Sequence, residues 1–282
     1  MFKRARKRGF TLVELLVVMS IIALLMCLLV PTITKAVEVV KKDRTLNEFK
    51  ELGISIQSFR NDWGDIPPSK PRVPPGTAPK TDLTSGDMAT GAANLAYYLL
   101  GPGLSGWGTA GGGVNPFGQP ATNRPYGPYY QVEPNDLGYE KPLSGSAVLS
   151  GFLDAFKGGY WTVTRDGVQL SVPRGRILYF KYDTAASTTQ SVKYRVYENG
   201  VDVNGLTNYG TTTPQTAFIQ GVTNQNDVSD SGTWRWPRQD YLLISAGPDG
   251  HYGYTKTDSV TGNIVPALST DTGVTCDDIV NW

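Results

Sequence analysis

Few side chains in this sequence could carry redox or nucleophilic chemistry. The 282 residues include two cysteines, Cys27 and Cys276, and one histidine, His251. So small a set excludes most cysteine- or histidine-based metal sites and leaves His251 as the only imidazole for a catalytic triad. Metals with oxygen ligands stay open. Cys27 lies inside an apolar run and Cys276 near the end of the sequence, so we expect no disulfide between them.

One carboxylate stands out by its surroundings. Glu14 lies within the run Phe10–Val30, whose other polar residues are Thr11 and Ser20. An acid inside a membrane helix is costly, less so near the interface, and usually needs a partner. Glu14 is only four positions into the run, so two interpretations stay open. Its carboxylate either snorkels to the interface or meets a specific partner.

The run that holds Glu14 is long enough to cross a bilayer. Its 21 residues reach roughly 30 Å as a helix, about one hydrocarbon core. No small-residue cleavage site follows it, so we expect the run to be kept rather than removed as a secretory signal. A basic leader precedes it and favours a cytoplasmic N-terminus, with the remainder on the opposite face. The leader contains Lys3, Arg4, Arg6, Lys7 and Arg8.

The segment Gly9–Val18, GFTLVELLVV, with its basic leader resembles the class III signal of type IV pilins and type II secretion pseudopilins. Pro31 also falls where many members of that family have a helix-bending proline. The resemblance implies cleavage after Gly9 by a membrane aspartic prepilin peptidase and N-methylation of the new terminal residue, Phe10. It further implies that Glu14 meets the terminal amine of a neighbouring subunit, which favours assembly in one register.

Beyond Pro31 the sequence predicts that the helix continues to about Arg60. Apolar residues three or four positions apart form one stripe on it, which predicts packing against a sheet. The stripe consists of Leu46, Phe49, Leu52, Ile56 and Phe59. Gly64 and Pro67 then stop the helix. The predicted domains are a leader (1–9), a transmembrane and assembly helix (10–30), its amphipathic continuation (31–60) and a globular domain with a C-terminal loop (61–282).

The later half of the sequence predicts strands. Tyr160–Thr164 and Val168–Val172 flank Asp166-Gly167 and are typical of a hairpin. Further β-rich segments are Arg176–Tyr182, Ser191–Tyr197 and, as the expected last strand, Tyr241–Ser245. A short helix is expected around Ala92–Leu100, among Gly- and Pro-rich insertions. The fold class is therefore α+β and pilin-like, with a long N-terminal helix packed on an antiparallel sheet with large irregular insertions.

Two C-terminal segments resemble the major pseudopilin branch of that family. Asp240–Gly253, DYLLISAGPDGHYG, is similar to the pattern YxLxSxGxDGxxG, and Asp277–Trp282 is similar to the ending D[DA]DI..W. In that branch the loop binds calcium, which takes hard oxygen ligands in flexible loops. The resemblance places Asp249 on the DG position and lets Asp277 or Asp278 supply acids from the tail.

The calcium site has two competing interpretations. Some 27 residues separate Asp249 from Asp277, more than in the family's short loop, so Asp258 is an alternative ligand. Cys276 occupies a position where relatives have an acid. Pro248–Gly250 as a plain tight turn, with solvated acids at the end of the chain, is the interpretation without a metal.

Two further resemblances to the major pseudopilin lie inside the globular domain. Asn61–Pro68 resembles the DNGxYP turn after its long helix, with Trp63 and Ile66 as substitutions. A DPWGxPYxY stretch lies between helix and final loop in that branch. Asp154–Lys157 and Ile177–Phe180 resemble its two halves, separated here by the predicted hairpin.

These resemblances lead to an expected function without catalytic activity. The chain is expected to be a pseudopilin, a structural subunit of a type II secretion pseudopilus or a related type IV filament, anchored in the bacterial inner membrane by one pass. Expected partners are further copies of itself, minor pseudopilins, the prepilin peptidase and methyltransferase, the inner-membrane assembly platform and the membrane. A net charge of +1 gives no reason to expect nucleic acid.

Two alternatives stay open. A type IV pilus subunit for adhesion or DNA uptake is favoured by the large insertions, although no cysteine pair exists for the C-terminal disulfide loop of typical major pilins. From another class, a membrane-anchored enzyme or carbohydrate-binding module would use a stacking surface of tryptophans, which more often serve the core. The candidates for that surface are Trp107, Trp161, Trp234 and Trp236.

Overall fold

A computed structural model describes residues 11–69, 90–108, 116, 124–142, 147–165, 168–182, 240–252, 255–257, 259, 264–266 and 278–281. Its helices are α1 (Leu12–Trp63) and α2 (Gly91–Leu100), with short 3-10 turns at Pro102–Leu104 and Pro134–Asp136. Its strands are β1 (Leu137–Pro142), β2 (Val148–Phe152), β3 (Tyr160–Arg165), β4 (Val168–Pro173), β5 (Leu178–Lys181), β6 (Tyr241–Ser245), β7 (Thr255–Thr257), β8 (Ile264–Pro266) and β9 (Ile279–Val280).

The chain divides into two units, residues 1–41 and 42–282. In the first unit the described residues belong almost entirely to α1, which stays helical through Pro31. The hydroxyls of Thr32 and Thr34 donate to the carbonyls of Leu28 and Val30 there. This part of α1 is long and apolar enough to cross a membrane, and its apolar window is not buried within the protein.

In the second unit the predicted stripe of α1 forms the core. Phe49, Leu52, Ile56 and Phe59 are each at most 4% exposed, and Leu46 is partly buried beside them. The same hydrophobic cluster includes residues of α2 and of the strands, namely Leu95, Leu99, Tyr179, Leu243 and Ile279. The spacing of three and four residues therefore identified the buried face of the helix correctly.

The end of α1 is set by a glycine. Gly64 has φ +81, a left-handed conformation that residues with a Cβ rarely adopt, and its N–H donates to the Arg60 carbonyl at 2.7 Å. The chain that follows is held against β5. Tyr179 donates its hydroxyl hydrogen to the Pro67 carbonyl, and Lys181 forms an ion pair with Asp65.

The strands form antiparallel sheets, as predicted for the α+β class. One sheet has the order β2-β1-β4-β3, a second the order β5-β6-β9, and a third pairs β7 with β8. The predicted hairpin is β3 with β4, where Trp161 pairs with Val172 and Val163 with Leu170. The fold class is α+β as the sequence predicts, with a long N-terminal helix ahead of antiparallel sheets, and it is consistent with a pilin-like fold.

The observed strands differ from the predicted ones in two respects. Tyr241–Ser245 is a strand but not the last one, because β7, β8 and β9 follow it in the chain. Of these, β9 pairs with it through Ser245↔Ile279. The sequence did not predict β1 and β2, whose pairing contains an irregularity between Gly138 and Tyr139. The segment Ser191–Tyr197 lies outside the described residues.

A buried ion pair joins the four-stranded sheet to the segment that leads into β5. Arg176 Nη1 donates to Glu140 Oε1 at 2.8 Å and to Ser150 Oγ at 2.9 Å. Arg176 is 4% exposed and Glu140 6%. Because each charge would be costly to bury alone, the pair requires β1, β2 and the start of β5 to lie together.

A second charged group lies where α1 meets the turn Pro134–Asp136. Glu48 Oε1 is 3.3 Å from Arg44 Nε, and Arg44 in turn lies 3.6 Å from Asp136, which also pairs with Lys157. The other Glu48 oxygen is buried and has no hydrogen-bond partner within the described part of the chain. Burial raises the pKa of Glu48 to about 7, against the opposing effect of Arg44.

We expect Glu48→Gln to stabilise the fold at pH 8 and to have little effect at pH 4.5. The pKa of Glu48 in the folded state is about 7, above its ordinary 4.5, so the ionised side chain costs stability that builds up between these values. Glutamine stays neutral throughout. We expect a gain of roughly 1–2 kcal/mol at pH 8, seen as a rise of a few degrees in Tm.

Thermal melting of the full-length, detergent-solubilised protein at both pH values measures this effect. Glu51→Gln is the matched control, because Glu51 lies on the same helix and is exposed. An equal gain for Glu48→Gln at pH 4.5 and pH 8 would contradict the assignment.

Candidate functional site

The start of α1 is held by a reciprocal cap between Thr11 and Glu14. Glu14 Oε2 accepts hydrogen bonds from the Thr11 N–H at 2.9 Å and from the Thr11 hydroxyl at 2.8 Å. The Glu14 N–H donates back to Thr11 Oγ1 at 3.3 Å. This is a capping box, in which each residue satisfies the other's backbone at the first turn of a helix.

The cap changes how Glu14 is to be understood. Gly9 and Phe10, the predicted cleavage and methylation residues, lie outside the described residues. Glu14 nevertheless has a partner in its own chain, Thr11, so its carboxylate is not an isolated acid before any other subunit approaches. The Thr-x-x-Glu spacing at Thr11 and Glu14 is the local sequence signal for this cap, which was not among the predictions.

The predicted C-terminal loop begins directly after β6. Gly247 and Gly250 both have positive φ, at +64 and +70, and the Gly250 N–H donates to the Gly247 carbonyl at 3.3 Å. Asp249 Oδ1 accepts the His251 N–H at 2.7 Å. His251 Nδ1 lies 2.8 Å from the Asp249 carbonyl, which can only accept, so Nδ1 carries the hydrogen.

Two of the predicted calcium ligands lie at the same end of the β6–β9 pair. Asp278 directly precedes Ile279, which pairs with Ser245, and Asp249 follows Ser245 by four positions. Asp278 is 5% exposed and Asp249 is partly buried.

The described residues do not by themselves complete a calcium site. Nowhere among them do three Asp, Glu, His or Cys side chains form a group that could hold a metal ion. Asp277, Asp258 and Cys276 lie outside the described residues. The calcium site therefore stays a prediction whose described side-chain ligands would be Asp249 and Asp278.

A buried carboxylate stabilises the junction beside the loop. Asp154 is fully buried, and its two oxygens accept hydrogen bonds from the Phe156 N–H, at 2.8 Å, and from the Ser245 hydroxyl. The Asp154 N–H donates to the Gly175 carbonyl at 2.7 Å. A Cβ on Gly175 would lie 2.5 Å from Asp154 Oδ1, so this close approach requires glycine.

These contacts bring the two halves of the split resemblance together. Leu153 pairs with Arg176, and the Ile177 N–H donates to the Phe152 carbonyl at 2.9 Å. Asp154–Lys157 and Ile177–Phe180 therefore begin side by side, with the hairpin inserted between them. The sequence placed both halves but did not show that Ser245 meets Asp154, because that contact joins residues 91 positions apart.

Of the tryptophans proposed for a stacking surface, the structure describes Trp107 and Trp161. Trp107 is 2% exposed and belongs to the hydrophobic core. The guanidinium of Arg174 lies 3.8 Å from the centre of the Trp161 ring. Trp234 and Trp236 lie outside the described residues.

One comparison with known proteins gives a match. The family model for the prokaryotic N-terminal methylation motif matches residues 4–29. No curated protein and no solved structure matches the chain at a significant level. The match confirms the prepilin-type motif expected around Gly9 and Phe10 and supports a type IV pilin-like chain with a membrane-anchoring N-terminal helix.

Proposed function

We propose that this chain is a structural subunit of a type II secretion pseudopilus or a closely related type IV filament. Prepilin peptidase cleaves it after Gly9, and the new N-terminal residue, Phe10, is methylated. The processed helix keeps the subunit in the inner membrane with its N-terminus cytoplasmic and its second unit extracytoplasmic. Assembly packs the helices of many copies, with minor pseudopilins and the inner-membrane platform as partners.

The observation that carries this proposal is the N-terminal methylation motif, which covers the start of a helix suited to a membrane. In a folded soluble protein such a helix would bury its apolar residues, whereas here large side chains such as Leu24 and Leu28 are 65% and 69% exposed. Exposed apolar surface of this extent requires lipid or other subunits to cover it. In a membrane protein that assembles into a filament, lipid covers this surface before assembly and neighbouring subunits cover it afterwards.

We expect mass spectrometry of the native, membrane-extracted protein to find an N-terminal peptide that begins with N-methylated Phe10. The motif predicts this product because cleavage after Gly9 creates the amine that is methylated. The experiment should use cells whose peptidase is shown to process another prepilin. An intact leader that begins at Met1 in such cells would contradict the proposal and favour a membrane-anchored enzyme or binding module.

We expect Glu14→Ala to insert into the membrane normally but to enter filaments about tenfold less well or worse. Alanine removes both the charge that would pair with a neighbouring terminal amine and the cap on Thr11. Glu14→Gln separates the two effects, because glutamine keeps an acceptor oxygen for Thr11 but has no charge. We expect it to fail in assembly as well.

Filament yield, compared with the amount of membrane-inserted subunit, measures both variants. Normal assembly of Glu14→Ala would overturn any role for this side chain. Normal assembly of Glu14→Gln alone would assign that role to the hydrogen bonds at the start of the helix, and would contradict pairing by charge.

The pseudopilus is favoured over a true pilus by the C-terminal motifs. We propose that the loop binds calcium, supported by the position of Asp249 and Asp278 at one end of β6 and β9. Long surface fibres in electron micrographs would instead favour a type IV pilus subunit, the alternative suggested by the large insertions.

We expect calcium to raise the Tm of the full-length, solubilised protein by a few degrees relative to EDTA, with heat released or absorbed in a titration. Asp249→Asn should weaken both effects while keeping the acceptor for the His251 N–H. Asp240→Asn is the control, because Asp240 is an exposed acid just before the other end of β6. If calcium produced no heat in the titration and no change in the Tm of the wild-type protein, calcium binding would be contradicted.

A further inference from the structure

The hairpin of β3 and β4, in which β4 also pairs with β1, is closed at its base by a neck of backbone hydrogen bonds. The Arg174 N–H donates to the Gly159 carbonyl at 3.2 Å, and the Asp154 N–H donates to the Gly175 carbonyl at 2.7 Å. The chain therefore enters and leaves the hairpin at nearly the same place. Side chains at the base of the hairpin are positioned by this neck.

Two of those side chains are stacked on each other. The Arg174 guanidinium lies 3.8 Å from the centre of the Trp161 ring, within the range of a cation–π contact. Trp161 is partly buried, while its neighbour Tyr160 is 62% exposed. The indole ring is thus held from one side by a cation of the same hairpin.

The C-terminal loop meets this stack. The rings of His251 and Trp161 are 4.9 Å apart, centre to centre, and inclined at 73°, the edge-to-face arrangement that aromatic pairs prefer. The hydrogen bond between His251 Nδ1 and the Asp249 carbonyl fixes the imidazole relative to the loop backbone. The Asp249 carboxylate also accepts the backbone N–H of His251. The next residue makes a second contact: the Tyr252 hydroxyl donates to the Arg176 carbonyl beside the neck.

We propose that the inserted hairpin acts as a latch, meaning that its side chains hold the C-terminal loop at residues 247–252 in one conformation. Contacts from Arg174 to Trp161 and from Trp161 to His251 fasten the loop, and Tyr252 is its second point of attachment. The loop keeps its conformation through these side chains whether or not a cation is bound. The proposal is independent of the filament function, because it concerns contacts within one subunit.

Amide hydrogen exchange of the loop in EDTA tests the latch. The amides of Gly247 and Gly250 are suitable probes, because they donate to Ser245 Oγ at 3.2 Å and to the Gly247 carbonyl at 3.3 Å. In the full-length, detergent-solubilised protein we expect both amides to be protected without calcium. We expect Trp161→Leu and His251→Ala to speed their exchange about tenfold or more.

Tyr160→Leu is the matched control, since it removes a mostly exposed aromatic ring from the same strand. It should leave the loop amides within about twofold of wild type. Amides in the buried part of α1, such as that of Ile56, report whether a variant has disturbed the whole unit. His251→Ala provides an independent test if Trp161→Leu disturbs them.

Two results would overturn the latch. The first is exchange at wild-type rates in His251→Ala and in a correctly folded Trp161→Leu. The second is a wild-type loop that exchanges in EDTA as fast as these variants and becomes protected only when calcium is added. That second result would leave calcium, rather than the hairpin, as what orders the loop.

Discussion

Burial of one face of α1 is the constraint on which the second unit depends. Phe49, Leu52, Ile56 and Phe59 contribute to a single cluster shared with α2, β5, β6 and β9. Each such side chain is worth about 1.5–3 kcal/mol when fully removed from water. The stripe gives both α2 and the three-stranded sheet an apolar surface to pack on. The first unit has no such one-sided pattern, since its apolar residues point in every direction around the helix.

The sequence predicted features that depend on local spacing. The stripe of α1, the glycine at its end and the hairpin around Asp166-Gly167 are all written in neighbouring residues, and the structure has each of them. The methylation motif is equally local, and so is the Thr11–Glu14 cap, whose Thr-x-x-Glu spacing is visible in the sequence.

Features that depend on distant residues were not predictable in this way. Strand β1 contains Gly138, Glu140 and Pro142, residues with weak strand propensity, and Glu140 is accommodated by Arg176, 36 positions along the chain. Strand β9 has two residues and exists because β6 offers it an edge. At the C-terminal loop, sequence patterns predicted Asp249 and Asp278 as calcium ligands, and this stays a prediction. The contact of Asp154 with Ser245 could be found only in the folded structure.

The closed neck of the hairpin has a consequence for how this chain tolerates change. Closing a loop costs entropy that grows with the number of residues in the loop. Here the two ends of the hairpin are already joined by the Arg174–Gly159 hydrogen bond. Residues added at the turn between β3 and β4 would lengthen the chain without enlarging any loop that the core must close. The connection between β3 and β4 is therefore the natural position for inserting a foreign peptide, and each copy of the subunit in the proposed filament would display that peptide once.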